Sequence, residues 1–158
     1  MTEIVVAGGC FWGVEEFMSR KPGVLETEVG YANCKEENPD YRRVCTGITG
    51  CAEAVRIEFD ENILPVEKFL QAFFSVIDPT VVNRQGPDVG TQYRTGLYYA
   101  DAEQKEAFLR AKEDVQRTLS VPVVTEVRPL ENFWPAEEYH QQYLKKNPGG
   151  YCHIPLDR

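Results

Sequence analysis

Hydrophobic and polar positions recur along the chain with two different periods, which predict strands and helices in alternation. Residues 51–60 place Val55, Ile57 and Phe59 on one face and charged residues on the other, as in a half-buried strand. Apolar residues recur at helical spacing from Val66 to Ile77 after Pro65, which predicts a core-facing helix. The other predicted strands are 4–7, 24–32, 96–100 and 121–127, and the other predicted helices are 12–18, 101–119 and 136–146.

The order of these elements predicts the fold class. Strand, helix, strand, strand, helix, strand is the order of a split β-α-β, ferredoxin-like plait. We therefore expect an α+β fold, a two-layer α/β sandwich with a C-terminal extension. The 158 residues predict a single domain, 1–158, with an irregular tail at 147–158. Residues 78–95 are rich in Gly, Pro and polar side chains, and a loop of that length is expected to carry function.

Composition and charge exclude several classes of partner. The formal net charge is -8 and the sequence pI is about 4.8, which leaves no basic surface for nucleic acid or an anionic membrane. The N-terminus lacks the features of a signal peptide, and no apolar run reaches membrane-spanning length. We expect a cytoplasmic, monomeric protein.

The five cysteines are an odd number, which argues against a framework of structural disulfides. Thiols that are reduced, reactive or buried are expected instead. The sequence contains no CxxC pair and only two histidines, so a four-ligand zinc site has little support.

Cys10 is the first candidate for chemistry. It follows a short strand and Gly8-Gly9, and it precedes a predicted helix, so its sulfur is expected to lie beside unpaired backbone N–H groups. Such a position lowers the pKa of a thiol and makes it a nucleophile. The aromatic rings of Phe11 and Trp12 stand next to it and suit an apolar substrate tip. The alternative is a cysteine that is simply buried in an aromatic core segment.

Glu53 is the second candidate, because it lies in phase with the apolar face of the 51–60 strand. A carboxylate on such a face has a raised pKa and can remain protonated near neutral pH, as a general acid requires. The alternative is a buried glutamate that is satisfied by hydrogen bonds or by an arginine.

Four motifs in this sequence resemble those of one enzyme family. The chain is similar over nearly its whole length, and in the same order, to the A-type, S-epimer-specific peptide methionine sulfoxide reductases. The motifs are GGCFWGVEEF (8–17), TGCAE (49–53), DPTVVNRQGPDVGTQYR (78–94) and FWPAEEYHQQY (133–143). The family's α/β plait agrees with the predicted order of elements.

The resemblance implies a reaction that uses thiols and no metal, flavin or nicotinamide. Cys10 would attack the sulfur of methionine sulfoxide in peptides and proteins and become a sulfenic acid, while Glu53, at the family's catalytic glutamate, protonates the oxygen. A second thiol would then close a disulfide, and an external dithiol would reduce it. Thioredoxin is the family's usual reductant.

The same resemblance assigns five residues to the substrate pocket. Phe11 and Trp12 would hold the S-methyl group. Tyr41 and Tyr93 match tyrosines whose hydroxyls hydrogen-bond the sulfoxide oxygen, and Asp88 matches the loop aspartate near them. A tyrosine suits this task because it donates a hydrogen bond while its ring excludes water.

More than one cysteine is a candidate for the resolving thiol, because the cysteines depart from the family pattern. Cys152 in the tail matches the usual resolver, and the glycines before it would let it reach Cys10. The family commonly has glycine in place of Cys34 and histidine in place of Cys51. Cys51 lies two residues from Glu53 and is an alternative resolver. We favour Cys152 over Cys51, Cys45 and Cys34, because a tail covers the distance more readily than a strand.

Two other classes of function remain to be tested. A thiol peroxidase or cysteine hydrolase also places a reactive cysteine at a helix start, but neither His140 nor His153 is spaced as the hydrolase's partner. We expect both histidines to be structural. A non-enzymatic acidic interaction domain predicts an ordinary Cys10 thiol that titrates at roughly 8.5.

Overall fold

Eight strands and five α-helices make up the part of the chain that the computed structural model describes, residues 2–150. The strands are β1 (Thr2–Gly8), β2 (Val24–Ala32), β3 (Ala52–Phe59), β4 (Arg84–Gln85), β5 (Asp88–Val89), β6 (Thr95–Tyr99), β7 (Glu126–Pro129) and β8 (Phe133–Pro135). The helices are α1 (Phe11–Ser19), α2 (Tyr41–Cys45), α3 (Val66–Phe74), α4 (Ala102–Gln116) and α5 (Tyr143–Lys146), with 3₁₀ turns at Thr91–Tyr93 and Glu138–His140. None of these helices is long and apolar enough to cross a membrane.

The four central strands form the sheet of a ferredoxin-like plait. Six strands lie in the order β7-β6-β1-β3-β2-β8, and neighbours among the central four pair antiparallel. The β1-α1-β2 and β3-α3-β6 crossovers place both helices in one layer. The C-terminal part extends the sheet at both edges, because β7 pairs parallel with β6 and β8 pairs antiparallel with β2. This topology confirms the predicted two-layer α+β fold with a C-terminal extension.

The main hydrophobic core lies between the sheet and its helices. Val55, Ile57 and Phe59 are fully buried on the helix side of β3, as the two-residue period predicts. The opposite face of the sheet carries a second, smaller cluster. Ala7, Ala32, Ala52 and Ala54 lie there together with Val5 and the larger Tyr98, and Leu130 and Phe133 pack against them. Side chains at the odd-numbered positions of β3 therefore point toward the helix layer.

The C-terminal third departs from the predicted elements. The predicted helix at 136–146 is wrong, because Gln142 adopts a left-handed conformation with φ of 52° and separates a 3₁₀ turn from α5. Long-range bonds hold this segment instead: Gln141 bonds the backbone of Val29, and the backbone N–H of Gln142 donates to Glu15. The strand predicted at 121–127, after the plait, also lies later in the chain, at β7. The elements α2, β4, β5 and β8 were not predicted.

Gly30 on β2 is expected to be essential to the packing of β8. A Cβ at this position would meet the Phe133 ring and lie 2.6 Å from the carbonyl oxygen of Trp134. Because backbone cannot move aside cheaply, Gly30→Ala should lower the free energy of unfolding by about 2 kcal/mol in urea denaturation. Gly149→Ala is the control, since a Cβ there meets nothing within 4 Å. Equal stability of the two variants would show that β8 adapts freely.

Candidate active site

Cys10 lies at the junction of β1 and α1, where it is the N-cap residue of the helix. Gly9 before it has φ of 87°, a conformation that favours glycine. Gly8 is needed for close packing, because a Cβ there would lie 2.8 Å from Ile77 and 3.1 Å from Phe73. The thiol is buried, with 7% of the residue exposed. The two glycines therefore place Cys10 in a tight turn between the strand and the helix.

The pKa of the Cys10 thiol is shifted in the direction opposite to the prediction. Burial raises it, and the carboxylates of Glu53 and Asp88 raise it further. The backbone N–H groups of Trp12 and Gly13 lower it, as expected at a helix start, but burial outweighs them. The prediction of a lowered thiol pKa is therefore wrong. At neutral pH the site favours the thiol form of Cys10 over the thiolate.

Glu53 faces inward from β3 and is 1% exposed. Its Oε1 accepts a hydrogen bond of 3.3 Å from the backbone N–H of Phe11, the residue after Cys10. Its Oε2 is buried and has no hydrogen-bond partner among the described residues. Burial raises the pKa of Glu53 to about 8, and the charge of Asp88 adds to the rise. The carboxyl is therefore protonated at neutral pH and keeps one oxygen available beside the thiol.

Tyr41 and Tyr93 approach the same site from two separate loops. Tyr41 begins α2, with its hydroxyl near the Cys45 thiol, while Tyr93 ends the 3₁₀ turn after β5. Burial raises the pKa of both hydroxyls, and the charge of Glu53 raises both further. Asp88 also raises the pKa of Tyr93. These electrostatic effects link Glu53 with both tyrosines, and Asp88 with Glu53 and Tyr93, which places the four side chains in one region.

An open cleft of about 410 Å³ separates these two loops on the surface. Cys45 and Gly47 line one side, and Gly90 and Gln92 line the other. Two exposed apolar side chains stand on its rim, Ile48 at 69% and Val89 at 70% exposure.

Aromatic rings form the remaining wall of the site. Phe11 is buried against Tyr31 and His140, with ring centroids 5.8 and 5.3 Å away. Trp12 stacks on Tyr143 at 3.8 Å and donates from Nε1 to Nδ1 of His140 at 3.0 Å. Burial lowers the pKa of His140, which keeps its ring neutral and its Nδ1 an acceptor. Phe11 and Trp12 are thus held rigidly beside Cys10.

Two organising residues were missed from the sequence. Glu137 accepts hydrogen bonds from the Tyr31 hydroxyl and from the backbone N–H of Tyr41. Arg94 donates to the backbone carbonyls of Gly50 and Cys51, which fixes the residue after Tyr93. The one available signal for Glu137 was its place in the FWPAEEYHQQY motif. His140 is predicted to be structural, and its hydrogen bond with Trp12 agrees with that prediction.

Cys34 and Cys51 form a disulfide, with Cα atoms 4.2 Å apart. The prediction of reduced thiols is wrong for this pair, because it rested on the odd number of cysteines and could not see that the chain brings these two together. Cys10 and Cys45 are the free cysteines of the described residues. Cys152 and His153 lie outside the described residues. In this state neither Cys34 nor Cys51 has a thiol that could resolve a sulfenic acid at Cys10.

Comparison with known proteins decides the family. The sequence profile described as peptide methionine sulfoxide reductase matches residues 2–158. The chain belongs to this family. It is 59% identical to the peptide methionine sulfoxide reductase MsrA of Clostridium botulinum over 157 residues, 99% of this chain and 100% of that protein.

Solved structures agree with the family assignment. Mxr1 from Saccharomyces cerevisiae in reduced form superposes with a TM-score of 0.92 at 37% identity, over 98% of this chain and 90% of that one. Mxr1 in complex with Trx2 superposes with a TM-score of 0.64 at 22% identity, over 90% and 84% of the two chains. The protein is accordingly an oxidoreductase that carries out thiol-dependent reduction of methionine sulfoxide.

Proposed function

We propose that this reductase acts on the S-epimer of methionine sulfoxide in peptides and proteins, with Cys10 as nucleophile and Glu53 as general acid. One observation carries the proposal: the buried Cys10 thiol lies beside the buried carboxyl of Glu53, whose raised pKa favours its protonated form and whose Oε2 has no hydrogen-bond partner within residues 2–150. Such a pair supplies both a nucleophile for sulfur and a proton for oxygen.

The reaction transfers one oxygen atom to the enzyme. The Cys10 sulfur attacks the sulfoxide sulfur, and Glu53 protonates the oxygen as its bond to sulfur breaks. Methionine leaves, and Cys10 becomes a sulfenic acid. Glu53 supplies the proton of the S–OH group and takes up the proton that the Cys10 thiol loses, so the step balances and no other reductant enters this half of the cycle. Protonation of Glu53 also removes the charge that most disfavours a Cys10 thiolate, after burial itself.

The polar and apolar walls would orient the substrate. The hydroxyls of Tyr41 and Tyr93 donate hydrogen bonds to the sulfoxide oxygen, near Asp88, and stabilise the negative charge that grows there. Phe11 and Trp12 contact the S-methyl group. In the R-epimer, the oxygen and another substituent of the sulfur would exchange positions in the site. The oxygen would then lose its hydrogen bonds from the tyrosines, which accounts for the preference for the S-epimer.

Cys152 is the proposed resolving residue. Its thiol condenses with the Cys10 sulfenic acid, which forms a disulfide and releases water, and thioredoxin reduces that disulfide in turn. The solved complex of the yeast relative Mxr1 with Trx2 supports a protein reductant. We further propose a single catalytic domain that works as a monomer in the cytoplasm, without metal or organic cofactor.

Cys152→Ser tests the resolver. We expect turnover supported by thioredoxin to fall at least about tenfold, because the exposed disulfide that thioredoxin attacks no longer forms. Turnover supported by dithiothreitol should fall much less, because a small dithiol reaches the sulfenic acid directly. Peptide mapping of the oxidised wild-type protein is the second readout. A bond from Cys10 to Cys45 or Cys51 would contradict this assignment.

The activity itself is tested with separated sulfoxides. Dithiothreitol-supported reduction of the S- and R-sulfoxides of N-acetylmethionine is followed by product chromatography, beside a hydrogen peroxide assay on the same protein. We expect turnover of the S form alone. Faster consumption of peroxide than of either sulfoxide would identify a thiol peroxidase and overturn the proposal.

A further inference from the structure

The Cys34–Cys51 disulfide closes the segment that carries Tyr41. Cys34 follows the end of β2 and Cys51 precedes β3, and the bond joins residues that are 17 positions apart. Tyr41 and Cys45, the first and last residues of α2, lie within this closed loop. Both bonded cysteines are buried in the main core, at 8% and 1% exposure. The disulfide therefore anchors the base of the loop to the core.

The same disulfide is linked to Tyr93. Arg94 donates to the carbonyl oxygen of Cys51 at 3.2 Å and to that of Gly50 at 3.0 Å. Because Arg94 follows Tyr93 directly, a shift of Cys51 would move the support of both site tyrosines. Glu53 lies on β3 two residues after Cys51, so a shift of Cys51 would also affect its position.

Noncovalent contacts also hold the closed loop. The backbone N–H of Tyr41 donates to Glu137, the Tyr41 ring lies 4.5 Å from that of His140, and Val44 is buried in the core. Helix α2 has five residues, too few to be stable alone. The covalent bond adds to these contacts a fixed junction between the two ends of the loop, which sets where Tyr41 lies relative to β3.

We propose that the Cys34–Cys51 disulfide is a redox-sensitive clamp that holds Tyr41 and Tyr93 in position to bind the sulfoxide oxygen. The proposal rests on the roles given above to the two tyrosines. A dithiol opens the clamp by thiol–disulfide exchange: the clamp gains two electrons and two protons, and the dithiol becomes a disulfide. Affinity for substrate is then higher when the dithiol pool is oxidised, the condition under which methionine sulfoxide accumulates.

Substrate binding to Cys10→Ser tests the clamp, since this variant binds without turnover. Calorimetry gives the dissociation constant for the S-sulfoxide of N-acetylmethionine before and after reduction of the clamp with dithiothreitol. We expect reduction to weaken binding by about five- to tenfold. Cys34→Ala/Cys51→Ala in the same background is the matched control, because dithiothreitol should have no further effect on it. An unchanged dissociation constant on reduction overturns the clamp.

Tyrosine variants separate this proposal from the proposed function. Tyr41→Phe should weaken binding when the clamp is closed and have a much smaller effect once it is open, because the ring is then no longer held. If Tyr41→Phe and Tyr93→Phe leave binding unchanged with the clamp closed, the role of the tyrosines fails, and the clamp fails with it. If the tyrosine variants weaken binding but reduction of the Cys34–Cys51 disulfide does not, only the clamp proposal fails.

A further measurement needs no substitution at Cys34 or Cys51, so its result cannot come from a variant that fails to fold. Coupling between two sites is reciprocal, so saturating substrate must make the disulfide of Cys10→Ser harder to reduce by the same factor of about five to ten. The fraction of open clamp is read by thiol alkylation and mass spectrometry across a series of dithiothreitol ratios. An equilibrium that is indifferent to substrate contradicts the proposal.

Discussion

Replacement of Cys10 by serine is expected to lower the rate of methionine formation by about 10³-fold or more. A serine hydroxyl is a far weaker nucleophile toward sulfur, and it cannot become the sulfenic acid that stores the transferred oxygen. Stopped assays with dithiothreitol and the S-sulfoxide of N-acetylmethionine measure the loss. The variant should remain folded, because serine has nearly the size of cysteine and can also cap α1.

Cys45→Ser is the matched control for this loss. Cys45 is the other free cysteine of the described residues, it is exposed, and serine has nearly its size. We expect it to retain more than half of the wild-type rate. Activity retained in Cys10→Ser and lost in Cys45→Ser would move the nucleophile to α2.

The second large effect is expected for Glu53→Gln, which should lower the rate by about 10²- to 10³-fold through loss of the general acid. The glutamine side chain keeps an oxygen that can accept from the Phe11 backbone, so the fold and the geometry of Cys10 should persist. Circular dichroism and the dissociation constant for substrate are the checks on both. A rate within threefold of wild type would remove the acid role.

The pH dependence follows from the raised pKa of Glu53. The active form is protonated, so the wild-type rate should be constant below the pKa and fall as pH rises through about 8. The free energy of unfolding also falls as pH rises. The Glu53 carboxyl holds its proton more tightly in the folded than in the unfolded protein, so its ionisation destabilises the fold between about pH 4.5 and about pH 8. Glu53→Gln should lose both dependences. If the rate of the variant still falls above about pH 8, another group causes the fall.

The sequence was most informative where local pattern and tertiary structure agree. The period of β3 predicted the inward direction of Glu53, and the Gly8-Gly9 turn predicted the place of Cys10 at a helix start. Both follow from the alternation of side chains and from glycine conformations, which depend on near neighbours. The four-stranded plait followed for the same reason from the order of elements.

Long-range contacts account for what the sequence did not predict. The segment 136–146 reads as a helix, but its polar groups bond Glu15 and Val29, which are remote in sequence. The Cys34–Cys51 pair forms because β2 and β3 are neighbours, which the cysteine count cannot reveal. The pKa of Cys10 depends on how deeply the fold buries it, and this outweighs the local effect of the helix start.

A single-turnover experiment without added reductant tests the central claim most directly. Protein with Cys10 reduced is mixed with excess S-sulfoxide, and methionine and remaining thiols are counted per chain. We predict one methionine per chain, the loss of the Cys10 thiol, and none of either with the R-sulfoxide. Formation of methionine only when a dithiol is present, with Cys10 unchanged by the substrate, would contradict oxygen transfer to Cys10.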